Sequence, residues 1–104
     1  MIRQFDVFPN PSRRGLEERP YLVTIQSRFW DDVATRICVF LVDPRFIRPQ
    51  GVLNPPCQVN GRTLHFHPLE ILTVPTRLLH RPVGNLEEYR YQIVRALDLV
   101  FTGI

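Results

Sequence analysis

Hydrophobic residues recur at three- and four-residue spacings over one stretch of the chain: Leu86, Tyr89, Ile93, Val94, Leu97, Val100 and Phe101. That period predicts an amphipathic helix over 85–104. Asn85 is placed to cap it, and Glu88 falls three residues on, where a capping box takes a Glu or Gln. Glu87 and Glu88 also sit in the positively polarised first turn. Gly103 stands where a helix C-terminus favours a left-handed residue. Such a helix delivers Phe101 and an apolar Ile104, with its free carboxylate, to the end of the chain. It is expected to act either as a strut that closes the fold or as a projecting contact surface.

Upstream the period shortens to two. In 2–8, Phe5 and Val7 alternate with Gln4 and Asp6, which predicts a half-buried first strand. Residues 21–27 are rich in aromatic and β-branched side chains and predict a second. Residues 36–42 form a continuous apolar run, the mark of a strand covered on both faces. Asn60-Gly61 supplies the positive φ angles of a two-residue hairpin turn, so 58–67 predicts two paired strands. Leu64 and Phe66 face one way in the second of these, with Thr63, His65 and His67 facing the other. Residues 70–74 predict a last short strand or a helical turn, while 9–15 and 46–56 read as irregular. The ten prolines cut the first 85 residues into short pieces. The expected fold is mainly β with a C-terminal helix: about five short antiparallel strands in a bent sheet or partial barrel, in one domain spanning 1–104.

Composition changes this picture little. At 44% hydrophobic and 22% charged residues, the chain has the make-up of an ordinary globular protein. No apolar run approaches the ~20 residues of a membrane span. The first residues lack the basic and apolar blocks of a signal peptide, so a cytoplasmic location without membrane association is expected. Charge is more informative. The formal charge is +3, and all thirteen basic residues are arginine. Arginine pairs with carboxylates through two parallel bonds, so an acidic protein segment suits this surface as well as a phosphate backbone does.

Candidate chemistry is sparse. Cys38 lies in the apolar run and reads as a buried small hydrophobe, and Cys57 is read the same way. His65 and His67 share a strand face with the spacing of two metal ligands, but no third ligand is placed beside them. A polar strand face is the expectation, with no metal and no cofactor. Asp31-Asp32 reads as a turn initiator. Phe29 and Trp30 point opposite ways in extended chain, so one is a core anchor or the two form an aromatic contact patch. A metal-free acid–base set for RNA cleavage is supported only by the presence of Arg, Asp and His.

Several short matches occur in order along the chain. They are Gln4, Phe5, Asp6 and Val7 near the start, Ile25, Gln26 and Ser27, Arg36 entering the buried strand, Leu53 with Pro55, and Val74 with Pro75. Ala96, Leu99, Phe101, Gly103 and Ile104 complete them. In this order and spacing the chain resembles the CcdB family, toxins of toxin–antitoxin systems that poison DNA gyrase. The resemblance implies an SH3-like barrel with a C-terminal helix, acting as a non-enzymatic homodimer. It implies contact with the A subunit of DNA gyrase through Asp98, Phe101, Thr102, Gly103 and Ile104, with Phe29 and Trp30 as further contacts. It also implies neutralisation by an antitoxin with a disordered tail, and operator DNA binding only as the toxin–antitoxin complex. The chain departs from the family pattern at Thr102, where the family has Trp, at Asp98, where it has Asn, and at Phe29 and Trp30, where it has two isoleucines. Loss of a hot-spot Trp costs about 2 kcal/mol or more of binding. Arg95, three residues before Asp98, is spaced to offset its charge. The departures therefore also fit a family member that keeps antitoxin binding without toxicity.

Overall fold

Asn60 and Gly61 take φ angles of 50° and 78°, the mirror-image turn whose twist matches that of paired strands. This turn joins β4 (Pro56–Val59) to β5 (Arg62–Pro75), with Val59 opposite Arg62. The computed structural model describes residues 1–103. Its other elements are β1 (Asp6–Pro9), β2 (Tyr21–Thr24), β3 (Thr35–Val42), β6 (Gly84–Asn85) and α1 (Arg90–Phe101). The six strands form one antiparallel sheet in the order β4-β5-β3-β2-β1-β6. It curls until the β4–β5 turn and β6 line opposite sides of one crevice of about 160 Å³, bounded by Val59, Asn60, Gly84 and Leu86. The result is a nearly closed barrel, mainly β, with the helix across it.

β3 is covered on both faces, as its unbroken apolar run predicts. Val39 and Leu41 point into the barrel with Val7, Val23, Leu64 and Phe66, and Ile93 and Ala96 of the helix close this core. Cys38 lies on the other face, in a second cluster with Phe8, Leu22, Val74 and Leu79. Each large apolar side chain among these contributes about 1.5–3 kcal/mol on burial. Both cysteines are fully buried, and burial pushes each thiol up to about 12, so both remain protonated and unreactive.

Four sequence expectations are corrected in detail. The sheet has six strands rather than about five, because Gly84–Asn85 adds a two-residue strand beside β1. Residues 70–74 are neither a separate strand nor a helical turn but the far half of β5, which runs for 14 residues. Pro68 lacks the N–H a ladder needs, and the strand absorbs it in a bulge: Phe40 faces His67 while Val39 faces Ile71. Three extra residues reverse the alternation, so Leu64 and Phe66 enter the barrel whereas Leu72 and Val74 join the outer cluster.

The helix also starts later than its periodicity suggests. Asn85 is extended and paired with Asp6, and Leu86 N–H donates to the Phe5 carbonyl. Asn85 Oδ1 accepts from Glu87 N–H at 2.8 Å, which opens a single tight turn over Glu87–Tyr89 before α1 begins. Beside β6, the first strand is shorter than expected. Phe5 sits at φ 68°, held by its N–H on the Thr24 carbonyl, so strand geometry begins only at Asp6.

Candidate functional site

Two apolar stripes run along α1, and only one of them is used by the fold. Ile93 and Ala96 are fully buried, with Leu97 packed beside them. At about 100° per residue, Tyr91, Val94, Asp98 and Phe101 fall together on a different side. Tyr91 is 71% exposed and Phe101 68%, with Val94 exposed between them. The helix is therefore both strut and surface. The sequence held part of the signal for this second stripe, since Val94 and Phe101 lie about 100° and about 80° round the helix from Ile93. Tyr91 was not among the expected site residues, and Val94 counted only towards the helical period.

The helix end is tightly finished. The Asp98 carbonyl accepts from Thr102 N–H at 2.8 Å, Thr102 Oγ1–H at 2.7 Å and Gly103 N–H at 3.2 Å. Gly103 takes φ 74°, the left-handed residue that ends a helix. Thr102 thus turns its hydroxyl back onto its own helix instead of projecting it. Asp98 is exposed, and Arg95 makes no ion pair with it among the described residues. Its carboxylate is left to solvent or to a partner. Ile104 lies outside the described residues.

Phe29 and Trp30 occupy the loop between β2 and β3. They lie in a tight turn over Arg28–Trp30, where Ser27 Oγ accepts from Phe29 N–H at 3.3 Å. Neither is a core anchor: Phe29 is 82% exposed and Trp30 63%. Phe29 lines a groove of about 730 Å³ with Ile2, Gln4, Arg28, Glu87 and Arg90. That groove belongs to the start of α1, where Arg90 bonds Glu87 and Gln4 and its guanidinium stacks 4.7 Å from the Phe5 ring. Phe101 lies three turns further on, about 16 Å along the helix axis. The expected site residues therefore divide between two patches, the loop tip and the helix end.

The other candidates are taken up by the fold. His65 Nδ1 lies 2.8 Å from the Asn54 carbonyl, and His67 Nδ1 lies 3.2 Å from Asn54 Nδ2. Both histidines anchor the buried Asn54, which also donates to the Phe66 carbonyl at 3.1 Å and accepts from Gln50 N–H. Among the described residues no three His, Cys, Asp or Glu side chains are grouped to hold a metal ion. Asp31 and Asp32 are exposed in the loop following Trp30. No helix among the described residues is long and apolar enough to cross a membrane.

Residues 4–103 match a family model, CcdB, described as CcdB protein. No curated protein matches the chain.

Proposed function

The chain belongs to the CcdB family, and we propose that it is the toxin of a type II toxin–antitoxin pair that acts on the A subunit of DNA gyrase by protein–protein contact. The observation that carries this reading is the exposed stripe of α1. Tyr91, Val94 and Phe101 present apolar area to solvent on a rigid helix whose opposite side is locked in the barrel. Aromatic side chains held this way supply large contact area at little cost in conformational entropy. Asp98 and Thr102, at the same end, would meet the target first, together with Gly103 and Ile104. On this reading the protein works as a cytoplasmic homodimer and is released from gyrase by an antitoxin with a disordered tail. Operator DNA is bound only by the toxin–antitoxin complex. The surface arginines suit an acidic tail of that kind.

A second reading is favoured by Thr102. Its hydroxyl is committed to the Asp98 carbonyl, and the position offers no aromatic ring. A family member with antitoxin binding but weakened gyrase binding fits that arrangement. Ribonuclease chemistry gains no such support, because His65 and His67 are held on Asn54.

The test is induced expression of the chain and of Thr102→Trp, paired with binding measurements on the purified gyrase A subunit. Growth arrest with accumulated DNA cleavage complexes supports the toxin reading. An inert parent chain with a toxic Thr102→Trp variant supports the second. Health of both strains, with no binding to the gyrase polypeptide, rejects gyrase as the target.

A further inference from the structure

Arg36 is 7% exposed, yet among the described residues its guanidinium bonds only to neutral backbone carbonyls. Nη1 donates to the carbonyls of Val33 and, at 2.9 Å, Thr35, while Nη2 donates to that of Asp31 at 2.9 Å. Nε is buried without a partner among the described residues. A buried charge with an idle donor and no carboxylate bonded to it is destabilising in itself. All three acceptors lie in 31–35, the arm that returns from Phe29 and Trp30 to β3.

Gln26 holds the same loop from its other shoulder. Its Nε2 donates to the Trp30 carbonyl at 2.9 Å and reaches the Thr35 carbonyl at 3.4 Å, while its Oε1 accepts from Ile37 N–H at 3.0 Å. Packing does not order this loop, because every residue from Arg28 to Ala34 is exposed. Hydrogen bonds are what holds it: the carbonyls of Trp30, Asp31 and Val33 all accept from these two side chains, that of Trp30 also from Val33 N–H at 3.3 Å.

We infer that Arg36 and Gln26 are positioning residues that fix the β2–β3 loop in one conformation, so that Phe29 and Trp30 are offered to a protein partner already ordered. The role rests on the reading of that loop as part of the contact surface. Ordering the loop before encounter removes part of the entropic cost of binding, which accounts for tolerating an unpaired guanidinium inside the protein. Lysine could not replace Arg36, since one ammonium cannot span the three carbonyls that a planar fork reaches.

Trp30 is the single tryptophan of the chain, so its fluorescence reports the loop alone. The experiment compares Arg36→Met, Arg36→Lys and Gln26→Leu with the parent protein. It reads Trp30 anisotropy, amide exchange over 28–33, and affinity for the gyrase A subunit, with urea unfolding as the stability control. Methionine removes the buried charge while filling its space, and Gln26→Leu decides alone if the Arg36 variants do not fold. The expected result is lower Trp30 anisotropy, about tenfold faster loop exchange and several-fold weaker binding in each folded variant. Phe29→Ala, by contrast, should weaken binding without altering loop exchange. Unchanged anisotropy and exchange in Arg36→Met and Gln26→Leu overturn the positioning role. A loosened loop with unaltered affinity leaves that role standing and overturns the loop as a gyrase contact.

Discussion

Arg19 holds Glu70 in a two-point fork, Nε to Oε1 at 2.7 Å and Nη2 to Oε2 at 2.5 Å. The two residues come from the lead-in to β2 and from the bulge of β5, so the fork fastens the point at which that strand turns over. Arg19 also lies 5.7 Å from the Phe40 ring and 2.8 Å from Glu18. Fork geometry of this kind exceeds an ordinary surface pair, but both side chains remain partly wet. Glu70→Gln is expected to destabilise the protein by about 1 kcal/mol, read as a lower urea midpoint at neutral pH. An unchanged midpoint would show that the bulge holds without the fork.

Acid should find two weak points. Hydrogen bonds from the Arg45 side chain and backbone, followed by one from Arg62, hold Asp43 at about 2 against an ordinary 3.8. The Arg19 hydrogen bond likewise lowers Glu70. Groups lowered in the folded state stabilise it fully above their unfolded-state values, and that contribution drains away as pH falls through the folded ones. Stability is therefore expected to fall from about pH 4 towards pH 2. Asp43→Asn should be less stable at neutral pH and show a shallower decline over the same interval. Urea midpoints from about pH 2 to neutrality measure this, and parallel curves for the two proteins would contradict it.

The two stripes of α1 should separate cleanly in mutants. Ile93→Ala opens a hole in the barrel core and is expected to cost about 3 kcal/mol of stability. Phe101→Ala touches no core and should stay within about 0.5 kcal/mol of the parent. On the proposed gyrase reading the order reverses for binding, with Phe101→Ala expected to lose about 2 kcal/mol, roughly thirtyfold in Kd. Equal stability losses in the two variants would mean that Phe101 supports the fold after all.

Gly61 offers a test of the hairpin turn. A Cβ there would meet nothing within 4 Å, so the effect of Gly61→Ala is confined to the backbone at φ 78°. A loss of about 1 kcal/mol is expected from that strain alone. Thermal unfolding measures it, and a Tm equal to that of the parent would show that the turn has relaxed to another type.

Much of this fold is legible in the chain because local chemistry and tertiary context agree. Asn60-Gly61 set its own turn, and the apolar run of β3 announced two covered faces. Failures of the reading cluster where a distant partner decides. Asn85 has the side chain of a helix cap, but its pairing with Asp6 and the bond from Leu86 N–H to the Phe5 carbonyl keep the backbone there extended. Pro68 reads as a break, and only the neighbouring β3 turns it into a bulge. Phe29 and Trp30 are apolar enough for either core or surface, and sequence alone left both open. The site is less legible than the fold for the same reason. Arg36 looks like any strand arginine until its three carbonyl partners, all from one loop, are seen together.

The bulge at 68–70 has a consequence for how this chain can change length. Because side chains alternate between faces along a strand, deleting or adding one residue there would exchange Leu72 and Val74 with Ile71 and Thr73 across the sheet. The outer cluster would lose two of its members and two apolar side chains would turn to water. Gains and losses of residues at this point are therefore tolerable only in pairs, a parity rule that length variation among relatives at this strand should obey.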